Sequence, residues 1–172
     1  PSVEAAQAFM AEIPPKSRVY SVIAESEGRI LGSNFLWEDT IAGIGPITVN
    51  PAHQNGGLGR RLMQDVLDYA RRCAFPGVRL VQAAYHNRSL SLYTKLGFVV
   101  REPLAVMHGP AINERMPGYS VRPAGELDTE ACNALCARIH GHARPAELKE
   151  AIGQAAATVV LRDGRITGYA TG

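Results

Sequence analysis

The sequence predicts an α/β fold, a mixed and mostly antiparallel twisted sheet flanked by helices, and three observations predict it. An apolar run from Ile41 to Val49 passes through a turn containing Gly56, Gly57 and Gly59 into a segment with Leu58, Leu62, Val66 and Leu67 at helical spacing. Two strand-like runs, Arg18 to Glu25 and Arg29 to Trp37, flank Glu27-Gly28, which is a hairpin signal. A further apolar run, Val78 to Ala84, leads into a helix at about Ser89 to Leu96. Strands that alternate with helices in this way build a sheet with helices packed on it.

In chain order, Ser2 to Ala11 reads as a helix that stops at Ile13-Pro14-Pro15, and the hairpin about Glu27-Gly28 follows. The third strand, Ile41 to Val49, carries Pro46 behind Gly43 and Gly45. A proline cannot donate to a ladder, so this strand must run at an edge or bulge away from the sheet. The helix from Gly57 to Cys73 is closed by Pro76-Gly77 and turns its apolar face to the core. After the strand Val78 to Ala84 and its helix come extended segments from Phe98 to Val106. The Gly/Pro-punctuated stretch His108 to Gly118 then reads as a linker.

Beyond the linker the pattern restarts. Tyr119 to Arg122 is strand-like, Asp128 to Ile139 and Pro145 to Ile152 are helical, and Thr158 to Leu161 with Arg165 to Ala170 makes another hairpin. Glu27-Gly28-Arg29-Ile30-Leu31-Gly32 and Asp163-Gly164-Arg165-Ile166-Thr167-Gly168 share one acidic-Gly-Arg-Ile-x-Gly frame, so an internal repeat is read. The domain boundaries that follow are 1–107, a linker at 108–118, and 119–172.

Composition narrows the function classes without choosing among them. The chain has 172 residues, 46% hydrophobic and 20% charged, enough for one globular domain or one and a half. A net charge of +2 with no basic run interleaved with aromatics argues against a nucleic-acid partner. No uninterrupted apolar stretch of about eighteen residues and no charged-then-apolar leader is present, so no membrane partner and a cytoplasmic location are expected. The 3 cysteines are odd in number and lack disulfide-like spacing, which fits a reducing compartment. Cys132, Cys136 and His140 share a helix face with His142 nearby. Small buried cysteines are usual on such a face, and structural zinc rarely takes ligands from successive turns of one helix, so no metal is expected.

The glycine turn has chemistry of its own. The first turn of a helix leaves backbone N–H groups without intrahelical partners, and the aligned peptide dipoles add partial positive charge there. Anions are attracted to that end, and Arg60 and Arg61 add to the field. Taken alone, the glycines are equally a tight strand-to-helix turn.

A second segment, Asn87-Arg88-Ser89-Leu90-Ser91-Leu92-Tyr93-Thr94-Lys95-Leu96-Gly97-Phe98, lies one helix and one strand downstream of Gln54-Asn55-Gly56-Gly57-Leu58-Gly59-Arg60. With both segments in this order the chain resembles the GNAT superfamily of N-acetyltransferases. The resemblance implies a GNAT fold, with a parallel strand pair that opens around a cofactor cleft. It implies acetyl-CoA as the acyl donor, with no metal. The diphosphate would lie on Gln54, Asn55, Gly56, Gly57, Leu58, Gly59 and Arg60, and the pantetheine amides would pair with the backbone of Ile47, Thr48 and Val49. Tyr93 would donate a proton to the departing thiolate.

Family members often carry an asparagine seven residues before that tyrosine; here the position is His86, and Asn87 stands one residue later. Asn87 is then either a cofactor contact or a helix cap. His86 is open between a cofactor contact, a proton carrier and an ordinary loop residue. The general base has no clear candidate, because the strand Ile41 to Val49 carries no carboxylate and Glu25, Glu27, Glu38 and Asp39 read as solvated turn charges.

The implied reaction is direct acetyl transfer to a primary amine of a small molecule or peptide, with no covalent enzyme intermediate. Cys73, read as deep in the core helix, is a poor nucleophile. Two alternatives stand beside it: a CoA-binding or regulatory module without turnover, and a phosphate binder using the glycine turn alone, although the P-loop Gly-Lys-Ser/Thr ending is absent. The second unit looks like the opening half of another GNAT domain, and the first begins without the matching strand and helix. The expectation is therefore a tandem protein truncated at both ends, whose exposed apolar surface favours a homodimer.

Overall fold

The computed structural model describes residues 3–13, 16–110 and 114–172. Ser2, Pro14 and Pro15 of the first predicted helix and its stop, and residues 111–113 of the predicted linker, lie outside the described residues. The chain forms two compact units, Pro1–Val99 and Val100–Gly172.

In the first unit α1 (Val3–Glu12) leads into a hairpin of β1 (Val19–Ser26) and β2 (Arg29–Trp37). Glu27 and Gly28 both take positive φ, 51° and 73°, the two-residue turn whose twist suits antiparallel strands. The ladder slips between Ala24 and Glu25, so that Ala24 faces Gly32 while Glu25 faces Ile30. β2 is central, and it is buried continuously from Gly32 to Leu36.

The predicted strand Ile41 to Val49 is in fact two strands, β3 (Ala42–Ile44) and β4 (Thr48–Val49). The cause is local: Gly45 adopts φ 125° and Pro46 has no N–H, so the ladder cannot run through them. Both pieces pair with β2, through Leu36↔Ile44 and Trp37↔Gly43 for β3 and through Gly32↔Val49 and Ser33↔Thr48 for β4. The break is pinned by the Trp37 indole, which donates to the Gly45 carbonyl at 2.6 Å, and by the Gly45 N–H, which donates to Phe35 at 2.9 Å. β5 (Val78–Arg79) pairs parallel with β3 through Ala42↔Val78 and Gly43↔Arg79. The predicted strand Val78 to Ala84 is thus a ladder for its first two residues only, since its partner stops at the break. The sheet order is β1-β2-β3-β5, with β4 on β2.

Helix α2 (Leu58–Arg72) lays Leu62, Met63, Val66, Leu67 and Ala70 on this sheet, and α3 (Asn87–Lys95) adds Tyr93 to the same core. Cys73, predicted to be deep in the core, is exposed: α2 ends at Arg72, and Cys73 caps it on the solvent side. Asn34 is fully buried but not orphaned, because its Nδ2 donates to Leu62 O and its Oδ1 accepts from the Phe35 N–H.

Gly32 is the tightest point of the unit. A Cβ there would stand 2.6 Å from the Thr48 carbonyl oxygen and 3.1 Å from Leu62 Cδ1. Gly32→Ala must therefore push β4 off β2 or tilt α2, and overpacking of this kind costs about 1–3 kcal/mol. Urea unfolding followed through Trp37 will show a lower midpoint; an unchanged midpoint would mean that β4 yields without cost.

The second unit contains β6 (Tyr119–Pro123), α4 (Thr129–His140), α5 (Pro145–Gly153), β7 (Ala157–Arg162) and β8 (Arg165–Thr171), in a sheet ordered β6-β7-β8. Its core joins Cys132, Leu148, Ala151, Ala157 and Val159. Asp163 and Gly164 take φ 50° and 73°, and the ladder slips between Val160 and Leu161, so that Val160 faces Gly168. The turn and the slip therefore fall at matching places in both hairpins, Gly168 standing where Gly32 stands. Residues 98–106, read as extended, join no ladder among the described residues; Pro103 removes a donor from the middle of the run.

Asp128 anchors the start of α4. It accepts from both terminal nitrogens of Arg122, at 2.6 and 2.8 Å, and from the Gly125 N–H at 2.8 Å. The Arg122 hydrogen bonds, then the Gly125 amide, hold its carboxyl below the usual 3.8, at about 2. A carboxylate whose folded value is depressed adds stability above the unfolded value and loses it as pH falls through the folded one. The thermal stability of the second unit is expected to fall as pH drops from about 4 to about 2. In Asp128→Asn that dependence flattens; an identical pH profile in parent and variant would refute the assignment.

Candidate active site

Past the Gly43↔Arg79 pair, β3 and β5 lose contact and a cleft of about 290 Å³ opens between them. One wall is the break, Ile44 to Ile47, and the other is Leu80 to Ala83. Tyr85, His86, Ser89 and Tyr93, from α3 and its entry, close one end. Of the strand residues predicted to bind cofactor, Ile47 lines the cleft, while Thr48 and Val49 are held in the β2 ladder. The Thr48 hydroxyl is 2.8 Å from that of Ser33. Among the described residues β4 has a strand neighbour on its β2 side only, and the Val49 carbonyl takes the Gln54 side chain.

The glycine turn follows directly. Asn50 accepts from the Ala52 N–H and starts a 3₁₀ turn over Pro51–His53, after which the Gln54 side chain donates to Val49 O at 3.2 Å. Asn55 and Gly57 take φ 69° and 82°, and Gly57 begins α2 with no side chain capping it. A Cβ at Gly56 or Gly57 would meet nothing within 4 Å, and at Gly59 it would make ordinary contacts with Leu92 and Val49 at 3.7 and 3.8 Å. Packing thus does not demand these glycines; only Gly57 needs one for its backbone angle. What they leave is an uncovered helix start, with Leu58 and Gly59 half-buried and Arg60 exposed behind them.

Sequence reasoning missed what holds this turn. Arg88, in the first turn of α3, donates to Gln54 Oε1 at 2.9 Å and also to Asn55 Oδ1. The predicted site residues Gln54 and Asn55 therefore engage Arg88 with their side chains. The signal was an arginine beside Asn87, which only the contact across 34 residues makes readable.

Tyr93 is 8% exposed, packs edge-on to Phe98 at 6.0 Å between ring centres, and lines the cleft. Asn87 is the first residue of α3, and the cap position belongs to His86, so the capping role considered for Asn87 is not the one observed. His86 Nδ1 lies 2.5 Å from Ser89 Oγ.

The four carboxylates weighed as bases lie elsewhere. Glu25 and Glu27 are exposed on the hairpin, and Asp39 accepts from the Thr40 N–H. Glu38 accepts from the Tyr69 hydroxyl at 2.5 Å, and that hydrogen bond, ahead of one to Cys73 and of burial, drives the Tyr69 phenol up. Tyr20 stacks on Tyr69 at 3.9 Å and is likewise pushed up, chiefly by donating to Asp65. This cluster ties β1 and β2 to α2 and lies outside the cleft lining. In the second unit Cys132 and Cys136 are buried while His140 is exposed, and Arg144 Nε donates to Cys136 Sγ at 3.4 Å. Among the described residues no helix is long and apolar enough to cross a membrane.

Similarity to known proteins bears on the first unit. An IAA acetyltransferase of Azospirillum brasilense is 30% identical over 98 residues, 55% of this chain and 63% of that protein. An L-methionine sulfoximine/L-methionine sulfone acetyltransferase of Salmonella typhimurium is 41% identical over 57 residues, 31% of this chain and 32% of its own. A solved structure from Bacillus anthracis, a candidate streptothricin acetyltransferase in complex with acetyl coenzyme A, superposes with a TM-score of 0.50 at 26% identity, over 54% of this chain and 53% of that one. The chain thus spans less than two thirds of the length of each of these relatives. The family model for GNAT acetyltransferases matches residues 3–98, more than half of the sequence and nearly all of the first unit. The chain belongs to the acetyltransferase (GNAT) family.

Proposed function

We propose that the first unit transfers an acetyl group from acetyl-CoA directly to a primary amine of a small molecule or peptide. The observation that carries this reading is the cleft where β3 and β5 part, lined by the Tyr93 phenol and by Ile47, from which the chain leads through β4 to the uncovered start of α2. The diphosphate sits on the backbone from Gln54 to Arg60, with Gly57, Leu58 and Gly59 supplying N–H groups. The pantetheine arm lies along Ile47, Thr48 and Val49, and Asn87 flanks it. The name of the similar L-methionine sulfoximine/L-methionine sulfone acetyltransferase agrees with a small acceptor.

The acceptor nitrogen attacks the thioester carbonyl, the C–N bond forms, the C–S bond breaks, and Tyr93 protonates the leaving thiolate. Orientation of the two reactants provides most of the acceleration, and backbone N–H polarisation of the carbonyl adds to it. Residues 1–107 are the catalytic unit in this reading, 108–118 a linker, and 119–172 the opening half of a second GNAT-like unit that shares its hairpin geometry with the first. A tandem cytoplasmic enzyme that self-associates is the wider form of the proposal.

Calorimetry with coenzyme A, together with thiol release from acetyl-CoA across a panel of amines, tests it. Binding with turnover of at least one amine supports the reading, and no binding removes it. The second reading, a coenzyme-binding module without turnover, is favoured by the cleft having no carboxylate in its lining. Binding with no acetylated amine would select it.

A further inference from the structure

Resting on the acetyl-transfer reading, we propose that the wall of the cleft formed by Gln82 and His86 is the seat of the acceptor amine. Gln82 Oε1 takes one amine N–H and the His86 imidazole removes the proton that must leave before attack. The first observation is an unspent acceptor. Gln82 lines the cleft, and its Oε1 is the buried side-chain oxygen with no hydrogen-bond partner among the described residues. The amide is oriented by its other end, since Nε2 lies 3.5 Å from the Ala83 carbonyl, an acceptor that would repel the oxygen. A buried acceptor is costly until a donor fills it, and an amine brings N–H donors.

The second observation is a positioned imidazole. His86 Nδ1 is 2.5 Å from Ser89 Oγ, three residues on, where the first turn of α3 presents its side chain to the same cleft. With its proton on Nδ1 donated to Ser89, the ring presents the Nε2 lone pair as the proton acceptor. His86 is also exposed, so it can pass the proton to solvent. The surrounding elements offer no rival base. The break contributes Ile44, Gly45, Pro46 and Ile47, and the β5 extension Leu80, Val81, Gln82 and Ala83, none of them ionisable. From α3 and its entry come Tyr85 and Tyr93, while Arg88 is bound to Gln54 and Asn55.

The proton account closes. The ammonium form of the acceptor gives one proton to His86 Nε2, the neutral amine adds to the carbonyl, and the thiolate leaves with a proton from Tyr93. The nitrogen of the tetrahedral adduct loses its second proton to solvent as the amide forms, and solvent returns one proton to the Tyr93 phenolate. Ser89 acts through His86 and is a positioning residue.

The test compares the pH dependence of kcat/KM for parent, His86→Gln, Ser89→Ala and Gln82→Leu, with coenzyme affinity measured by calorimetry for each. His86→Gln is expected to lose about 100-fold at neutral pH, the lower range for general base catalysis, and to recover as pH rises and the amine deprotonates by itself. Ser89→Ala should show a smaller loss, recovered in the same way as pH rises. Gln82→Leu should raise the KM for the amine and leave coenzyme affinity alone. The assignment is overturned if His86→Gln keeps the parental profile, or if His86→Gln or Gln82→Leu weakens coenzyme binding instead, which would make the N–H donor a pantetheine amide. A parent that binds coenzyme but acetylates no amine defeats the functional reading itself, and this proposal with it.

Discussion

Gly57→Asp and Gly59→Asp will each lower the affinity for coenzyme A by about 100-fold or more, because a carboxylate would stand where the proposed diphosphate must lie. Two unit charges about 4 Å apart repel by about 4 kcal/mol at an effective dielectric of 20, and screening at this exposed turn leaves part of that. The two sites control for one another. Gly57 sits at φ 82°, so a side chain there also strains the backbone, and Gly57→Ala measures that strain without charge. Gly59 lies within α2, and a Cβ there makes only ordinary contacts. Trp37, the only tryptophan, reports whether each variant keeps the break at Gly45 in place. Aspartate variants that bind coenzyme as tightly as the parent would put the anion elsewhere.

Tyr93→Phe should lower kcat by about 100-fold with the KM for acetyl-CoA unchanged, since a general acid contributes about 10²–10⁴ in rate and a thiolate leaves more readily than most groups. The substitution removes one oxygen and keeps the ring against Phe98. No side-chain hydrogen bond holds the Tyr93 hydroxyl among the described residues, so unfolding should not change. A variant that retains parental kcat at every pH would leave Tyr93 as a packing residue.

What could be read from the sequence were features whose causes are local. The hairpin at Glu27-Gly28 and its copy at Asp163-Gly164 follow from residues that accept positive φ, and the α2 face follows from spacing alone. Pro46 announced a disturbance in its strand but not its size. Whether the strand bulges or breaks depends on Gly45 adopting φ 125° and on Trp37 reaching across to hold it, and Trp37 belongs to a different strand. The position of Cys73 was misjudged because one residue at a helix end decides between core and solvent. Arg88, Ser89 and Gln82 could not be read from the sequence alone, since each is defined by a partner, or by the lack of one, that only the folded chain assembles.

The Arg88 bracket has an evolutionary corollary. One guanidinium joins the loop ahead of α2 to the helix that bears Tyr93, so the pose of that loop is tied to the helix that positions the phenol. Selection on such a chain cannot readily trade grip on the donor against speed of transfer. Under the proposed function, variation toward new acceptors would fall on the wall from Leu80 to Ala83, to which Arg88 makes no bond among the described residues.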